Sequence, residues 1–133
     1  LGKNIEVIAK ARIEIESMRR MVLTAAKAMD ELGNEAARVW VSAVKAMVPI
    51  RVCHIIDEAI QFHGGTGVSQ WTPLADMYTS QRTLRLADGP DEVHWFVVGR
   101  AELRRWETEG GIKYDPKVSY YSEDDDSVLT ARI

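Results

Sequence analysis

Three features of the 133-residue sequence predict an all-α fold, an up-down bundle of about four helices. Apolar residues recur at steps of three and four through two long runs, the spacing of one helix face. Glycine- and proline-bearing clusters, Gly33-Asn34, Gly64-Gly65-Thr66-Gly67, Asp88-Gly89-Pro90 and Gly110-Gly111, cut the chain into helix-sized pieces. No stretch alternates apolar and polar residues for long enough to build a sheet.

The first run carries Ile5, Ile8, Ile15, Met18, Met21, Val22, Ala25, Ala26, Met29 and Leu32, with most charges off that face. A helix of about 30 residues would be about 45 Å long, a length normal for a bundle. Gly33-Asn34 stops it, as a helix C-cap does. The second run, from near Glu35 to about His63, is more apolar and is expected to be the central helix. Pro49 lies inside it and removes one backbone donor, so either the helix kinks there or two shorter helices meet at Val48. A glycine-rich loop follows, then a short helix from Leu74 to Leu86 and a loop at Ala87-Asp88-Gly89-Pro90. Pro90 suits the N1 position of a last helix, with Asp91 and Glu92 at its positive dipole end. That helix ends at Gly110-Gly111. The domain division is therefore residues 1–109 as the bundle and 110–133 as an acidic, extended tail around Glu123-Asp124-Asp125-Asp126. Periodicity beginning within the first residues after Leu1 predicts a piece cut from a larger chain.

Composition narrows the function. Hydrophobic residues make up 46% and charged residues 28%, an ordinary globular balance. A net charge of −3 offers no broad footprint for a nucleic-acid backbone. No apolar run approaches the roughly 18 residues of a bilayer span, so none is expected, and the polar first residues do not read as a signal peptide. The lone Cys53 excludes an internal disulfide framework and a multi-cysteine zinc site, and its apolar helix makes it a small buried hydrophobe. His54, His63 and His94 lack the i, i+4 pairing of a helical metal site, and no metal is expected.

Two places can carry chemistry, and each has two readings. Bare glycine backbone at Gly64-Gly65 permits close approach of a phosphate, or it simply terminates the helix. Asp88 projects from an inter-helix loop as a base, or it bonds its own turn. Arg82, Arg85, Arg19 and Arg20 form surface ion pairs or reach a phosphate, and spacing does not decide between them.

Taken together, Ala59-Ile60-Gln61-Phe62-His63-Gly64-Gly65-Thr66-Gly67, Pro73 and Arg85-Leu86-Ala87-Asp88-Gly89-Pro90-Asp91-Glu92-Val93 resemble the C-terminal helical domain of the acyl-CoA dehydrogenases. Gly64 and Asp88 are 24 residues apart, as the family's Gln-x-x-Gly-Gly-x-Gly motif and its Glu-Gly-Thr-type turn are. The resemblance covers roughly residues 3 to 107 and lies closest to the branch that in animals includes family members ten and eleven. It implies that Gln61, Gly64, Gly65 and Glu92 contact FAD held mainly by a neighbouring subunit. It also implies that Asp88 is the base that removes the α-proton of an acyl-CoA thioester, in lipid β-oxidation chemistry. An electron-transferring flavoprotein or oxygen would accept the electrons, and copies of the domain would pack into dimers or tetramers. The glycine end and the carboxylate turn are expected to border one shared groove, in one chain or across an oligomer.

Three departures from the family pattern stand out: Asp88 replaces the commoner Glu, Pro90 replaces a cofactor-touching Thr, and Thr79-Ser80 replace an Arg-Asp pair. In the family the resemblance points to, the rest of the cleft is built by an N-terminal helical domain and a middle β-domain, so this segment alone is expected to be inactive. The parent is expected in a mitochondrion, a peroxisome or a bacterial cytoplasm. Rival readings are a non-catalytic helical interaction module and a flavin monooxygenase-like relative sharing the bundle.

Overall fold

The computed structural model describes residues 2–110. Four helices carry most of them: α1 Gly2–Ala36, α2 Arg38–His63, α3 Leu74–Thr83 and α4 Asp91–Glu109. A single 3-10 turn, Gly64–Thr66, follows α2, and no strand occurs among the described residues. The expected acidic tail, from residue 111 onward, lies outside them.

The α1–α2 corner turns on Gly33, whose φ of 79° and ψ of 169° leave the helical region. Glycine enters that region without a Cβ penalty. Beyond it the helical path resumes at once: Ala37 N–H donates to the Gly33 carbonyl at 3.0 Å, and Val41 N–H donates to the Ala37 carbonyl at 3.0 Å. The sequence-placed stop at Gly33 is therefore the real corner.

Helix α2 packs against α1, α3 and α4 and is the central helix, as its composition predicts. Its buried residues, Ser42, Ala46, Pro49, Cys53 and Ile56, step by four and three along one face. The helix runs unbroken through Pro49, so the reading as two shorter helices is excluded. With the following turn, Arg38–Thr66 is long and apolar enough to cross a membrane by length and composition. This corrects the expectation that no run is long enough. Lys45 and Arg51 interrupt the run on paper, but they do not make α2 polar. Contacts with three helices give it the surroundings of a bundle's core helix.

Arg51 Nη1 donates to Glu14 Oε1 at 3.3 Å. An apolar groove of about 310 Å³, lined by Val7, Ile8, Ile15, Ile55 and Phe62, also joins the first half of α1 to the last half of α2. The two helices are therefore antiparallel. Helix α3 ends at Thr83 rather than Leu86, because Leu84, Arg85 and Leu86 N–H groups bond three residues back, to Gln81, Arg82 and Thr83 carbonyls. Those bonds tighten the chain into 3-10-type turns. Pro90 has ψ 161°, so it is the residue just before α4 rather than the first one inside it. Gly110, at φ 69° and ψ 23°, is a left-handed C-cap.

The core is shallow. Its apolar members are Met18, Ala25, Ala28, Ala37, Ala46, Cys53 and Ile56, and no large side chain is completely buried among the described residues. Ile5, Ile8 and Ile13 on α1, Phe96 and Leu103 on α4, and Trp71 are exposed. Val41 and Phe62 on α2 are exposed as well, so uncovered apolar surface lies on α1, α2 and α4.

Candidate functional site

The turn between α3 and α4 is tied down at four points. Lys45, from the middle of α2, donates through Nζ to the Leu84 carbonyl and to the Ala87 carbonyl, the latter at 2.7 Å. Arg85 Nε donates to Asp91 Oδ2 at 2.6 Å, and Asp91 N–H donates back to the Arg85 carbonyl at 3.2 Å. His94 Nε2 donates to the Asp88 carbonyl at 3.2 Å. Asp91 is buried, and its hydrogen bond holds the Arg85 guanidinium above its ordinary pKa. Asp91 Oδ1, Arg82 Nη1 and His94 Nδ1 are buried without a hydrogen-bond partner.

Asp88 stands at the apex, exposed, with φ 55°. It is the one non-glycine residue with positive φ among the described residues. Asp tolerates that left-handed region better than most residues, but it is still a costly conformation. The neighbouring Gly89 has φ 96°, where a side chain would be strained, and a Cβ there would lie 3.2 Å from His94 Nε2. Glu92 is exposed in the first turn of α4.

The glycine cluster divides by role. Gly64, at φ 54° and ψ −138°, ends α2, and its N–H donates to the Gln61 carbonyl. Around Gly64 and Gly65 an added Cβ would meet nothing within 4 Å. Both therefore present bare backbone to open space, beside the exposed Gln61. Such a surface fits one wall of a nucleotide-cofactor site and leaves the other walls to be supplied by other groups. Gly67 is different. It is buried, and a Cβ there would lie 2.5 Å from the Ile60 carbonyl oxygen and 2.9 Å from Ile60 Cα.

The two places lie toward different levels of α2. Lys45, which grips the carboxylate turn, and Gly64 are 19 residues apart on α2, about 28 Å along the axis at 1.5 Å per residue.

The remaining candidates have structural roles. Cys53 is buried, and that burial pushes its thiol above the ordinary pKa, away from nucleophilic use. His63 Nδ1 donates to the Ala59 carbonyl at 2.8 Å, one turn back on its own helix. Among the described residues no three His, Cys, Asp or Glu side chains gather as a metal site. Sequence reasoning gave Arg85 an ion pair without naming its partner Asp91, and it missed Lys45 and the packing role of Gly67. The available signal for Lys45 was a charge amid the apolar run Val39 to Ile50.

The fold and the site define a small all-helical domain with a shallow core, a bare-backbone helix end and a clamped carboxylate turn. Comparison with known proteins gives that domain its family. The family model for "Acyl-CoA dehydrogenase, C-terminal domain" matches residues 6–103. Acyl-CoA dehydrogenase family member 11 of Rattus norvegicus is 55% identical over 97 residues, 73% of this chain and 12% of that protein. Family member 10 of Mus musculus is 46% identical over 103 residues, 77% of this chain and 10% of that protein. A solved structure from Mycobacterium abscessus, described as an acyl-CoA dehydrogenase, is 49% identical with a TM-score of 0.78, covering 80% of this chain and 26% of that one. The chain belongs to the acyl-CoA dehydrogenase family and corresponds to its C-terminal helical domain. It spans about an eighth of the length of the rat relative.

Proposed function

We propose that this domain serves an FAD-dependent acyl-CoA dehydrogenase that introduces an α,β double bond into an acyl-CoA thioester. Asp88 is the base for the α-proton. Gln61, Gly64, Gly65 and Glu92 contact the cofactor, and the exposed faces of α1 and α4 pack against other domains and other copies. Bound flavin would supply the acceptor for the β-hydride. The residues of this chain do the rest.

The single observation that carries the reading is the conformation of Asp88. An exposed carboxylate is held in a rare backbone state by groups from two helices, and strain of that kind collects at functional sites. A base must come within about 3 Å of its proton. Asp is one methylene shorter than the family's commoner Glu, so its backbone must be placed to compensate. Lys45, the anchor of the turn, stands about 28 Å along the α2 axis from the glycine end, a separation that an extended cofactor shared between copies would bridge. One copy's glycine wall serves a cofactor whose reacting end faces another copy's turn or another domain.

The test is the absorbance spectrum of the full-length parent, followed by Asp88→Asn. Asn keeps the left-handed preference and the volume but cannot take a proton. The expected result is a flavin-bearing protein bleached by acyl-CoA, with bleaching slowed by at least about 100-fold in Asp88→Asn at unchanged flavin content. A parent that never holds flavin leaves a non-catalytic helical module. Undiminished turnover in Asp88→Asn removes Asp88 from the role of base.

A further inference from the structure

We infer that Lys45 and His94 are positioning residues that set the direction of the Asp88 carboxylate by holding the two peptide groups on either side of it. The inference rests on the reading of Asp88 as the base and goes beyond it.

The Ala87 carbonyl belongs to the peptide before Asp88, and Lys45 Nζ donates to it at 2.7 Å. The Asp88 carbonyl belongs to the peptide after it, and His94 Nε2 donates to it at 3.2 Å. With both planes fixed, φ of Asp88 stays at 55° and the Cα–Cβ bond has one direction. The two donors come from different helices, α2 and α4, so the turn is referenced to the frame of the bundle rather than to itself. Lys45 also holds the Leu84 carbonyl, one of the acceptors left open where α3 ends. Its ammonium is a compact charge with three donors, able to serve two carbonyls together. The Arg85–Asp91 pair closes the same loop, but it touches neither peptide of Asp88. It therefore secures the ends of the turn and leaves the apex to Lys45 and His94. A side chain in a left-handed state relaxes once its surroundings stop over-determining it. The base would then swing away from its proton, and a misplacement of about 1 Å costs about 100-fold in rate.

The experiment uses the full-length holoprotein with Lys45→Met, His94→Gln, Asp88→Asn and the two double variants with Asp88→Asn. The probe is whichever saturated thioester, from butyryl-CoA to palmitoyl-CoA, bleaches the wild-type flavin fastest. Expected is a fall in the flavin-reduction rate of about 100-fold in Lys45→Met, and a smaller fall in His94→Gln, whose amide can still donate. Flavin content and the half-saturating thioester concentration stay near wild type. In the Asp88→Asn background the same changes should have no further effect, because they act through the carboxylate.

A readout free of turnover is amide hydrogen exchange over residues 84–89, expected to accelerate in Lys45→Met. Equal losses with and without the Asp88 carboxylate would overturn the inference, as would wild-type exchange in the turn. If Lys45→Met fails to hold flavin, His94→Ala is read in the same way. Undiminished reduction in Asp88→Asn alone would instead overturn the base reading, and the exchange experiment would still decide whether Lys45 and His94 hold the turn.

Discussion

Two glycines three residues apart have opposite reasons to be glycine. Gly67 is buried, with Ile60 backbone atoms at 2.5 Å and 2.9 Å from where a Cβ would stand. Backbone cannot step aside as a flexible side chain does, so Gly67→Ala must force the 3-10 turn away from α2. The expected loss is about 2 kcal/mol, the scale of an overpacked core, seen as a lower midpoint in thermal unfolding of the full-length protein. Gly64 has a positive φ but no neighbours, and Gly65 has neither. Gly65→Ala should therefore leave the unfolding midpoint of the flavin-free protein unchanged, and a drop in flavin content of the holoprotein would mark Gly65 as a cofactor contact. A matched fall in both quantities would remove Gly65 from the cofactor wall. From sequence alone the cluster was legible as one unit. The different jobs of its members were not, because they depend on what lies opposite each Cα.

At the scale of elements, the joint between α3 and α4 depends on one asymmetric ion pair. The Arg85 side chain is 32% exposed and that of Asp91 only 7%, with Asp91 Oδ1 already lacking a partner. Removing the cation leaves a buried carboxylate uncompensated, whereas removing the anion leaves a guanidinium that water can reach. Arg85→Met should cost about 3 kcal/mol and Asp91→Asn clearly less, both read from the thermal midpoint of the full-length protein. Equal costs would mean that the burial difference does not matter. Helix positions were legible because glycine and proline are chemical punctuation: Gly64 and Gly110 stand one residue beyond α2 and α4, Pro90 one residue before α4, and Gly33 breaks the helical path three residues before the end of α1. The end of α3 was misplaced by three residues because nothing in Leu84-Arg85-Leu86 forbids a helix. The chain leaves it because Lys45, 39 residues earlier, offers the Leu84 carbonyl another partner. A contact of that sequence separation has no local signature.

For the whole molecule, the informative quantity is the apolar surface that the bundle leaves uncovered. Periodicity in α1 revealed an amphipathic helix but not which part of its apolar arc faces this chain's own core. Met18, Ala25 and Ala28 are buried against the bundle, while Ile8, Ile15, Val22 and Met29, spaced by seven, form an exposed stripe beside them. Seven-residue spacing is how one helix presents a seam to another. On α4, Phe96, Leu103 and Trp106 add a second exposed apolar surface, and Trp71 is 91% exposed. Exposed apolar area on this scale marks an interaction surface. A shallow core with no large side chain completely buried supplies little stability by itself. Residues 2–110 produced alone should therefore self-associate, bind a hydrophobic dye and unfold at a markedly lower temperature than the full-length protein. Their tryptophan emission should lie further to the red, since Trp71 meets water in the isolated domain and gains a cover in the assembly. Sedimentation velocity and fluorescence measure both effects, and Trp71→Phe should remove part of the red component, Trp95 and Trp106 being exposed as well. A monomeric isolated domain with the emission maximum of the full-length protein would mean that these faces stay wet in the assembly. The interface assigned to α1 and α4 would then have to be sought elsewhere.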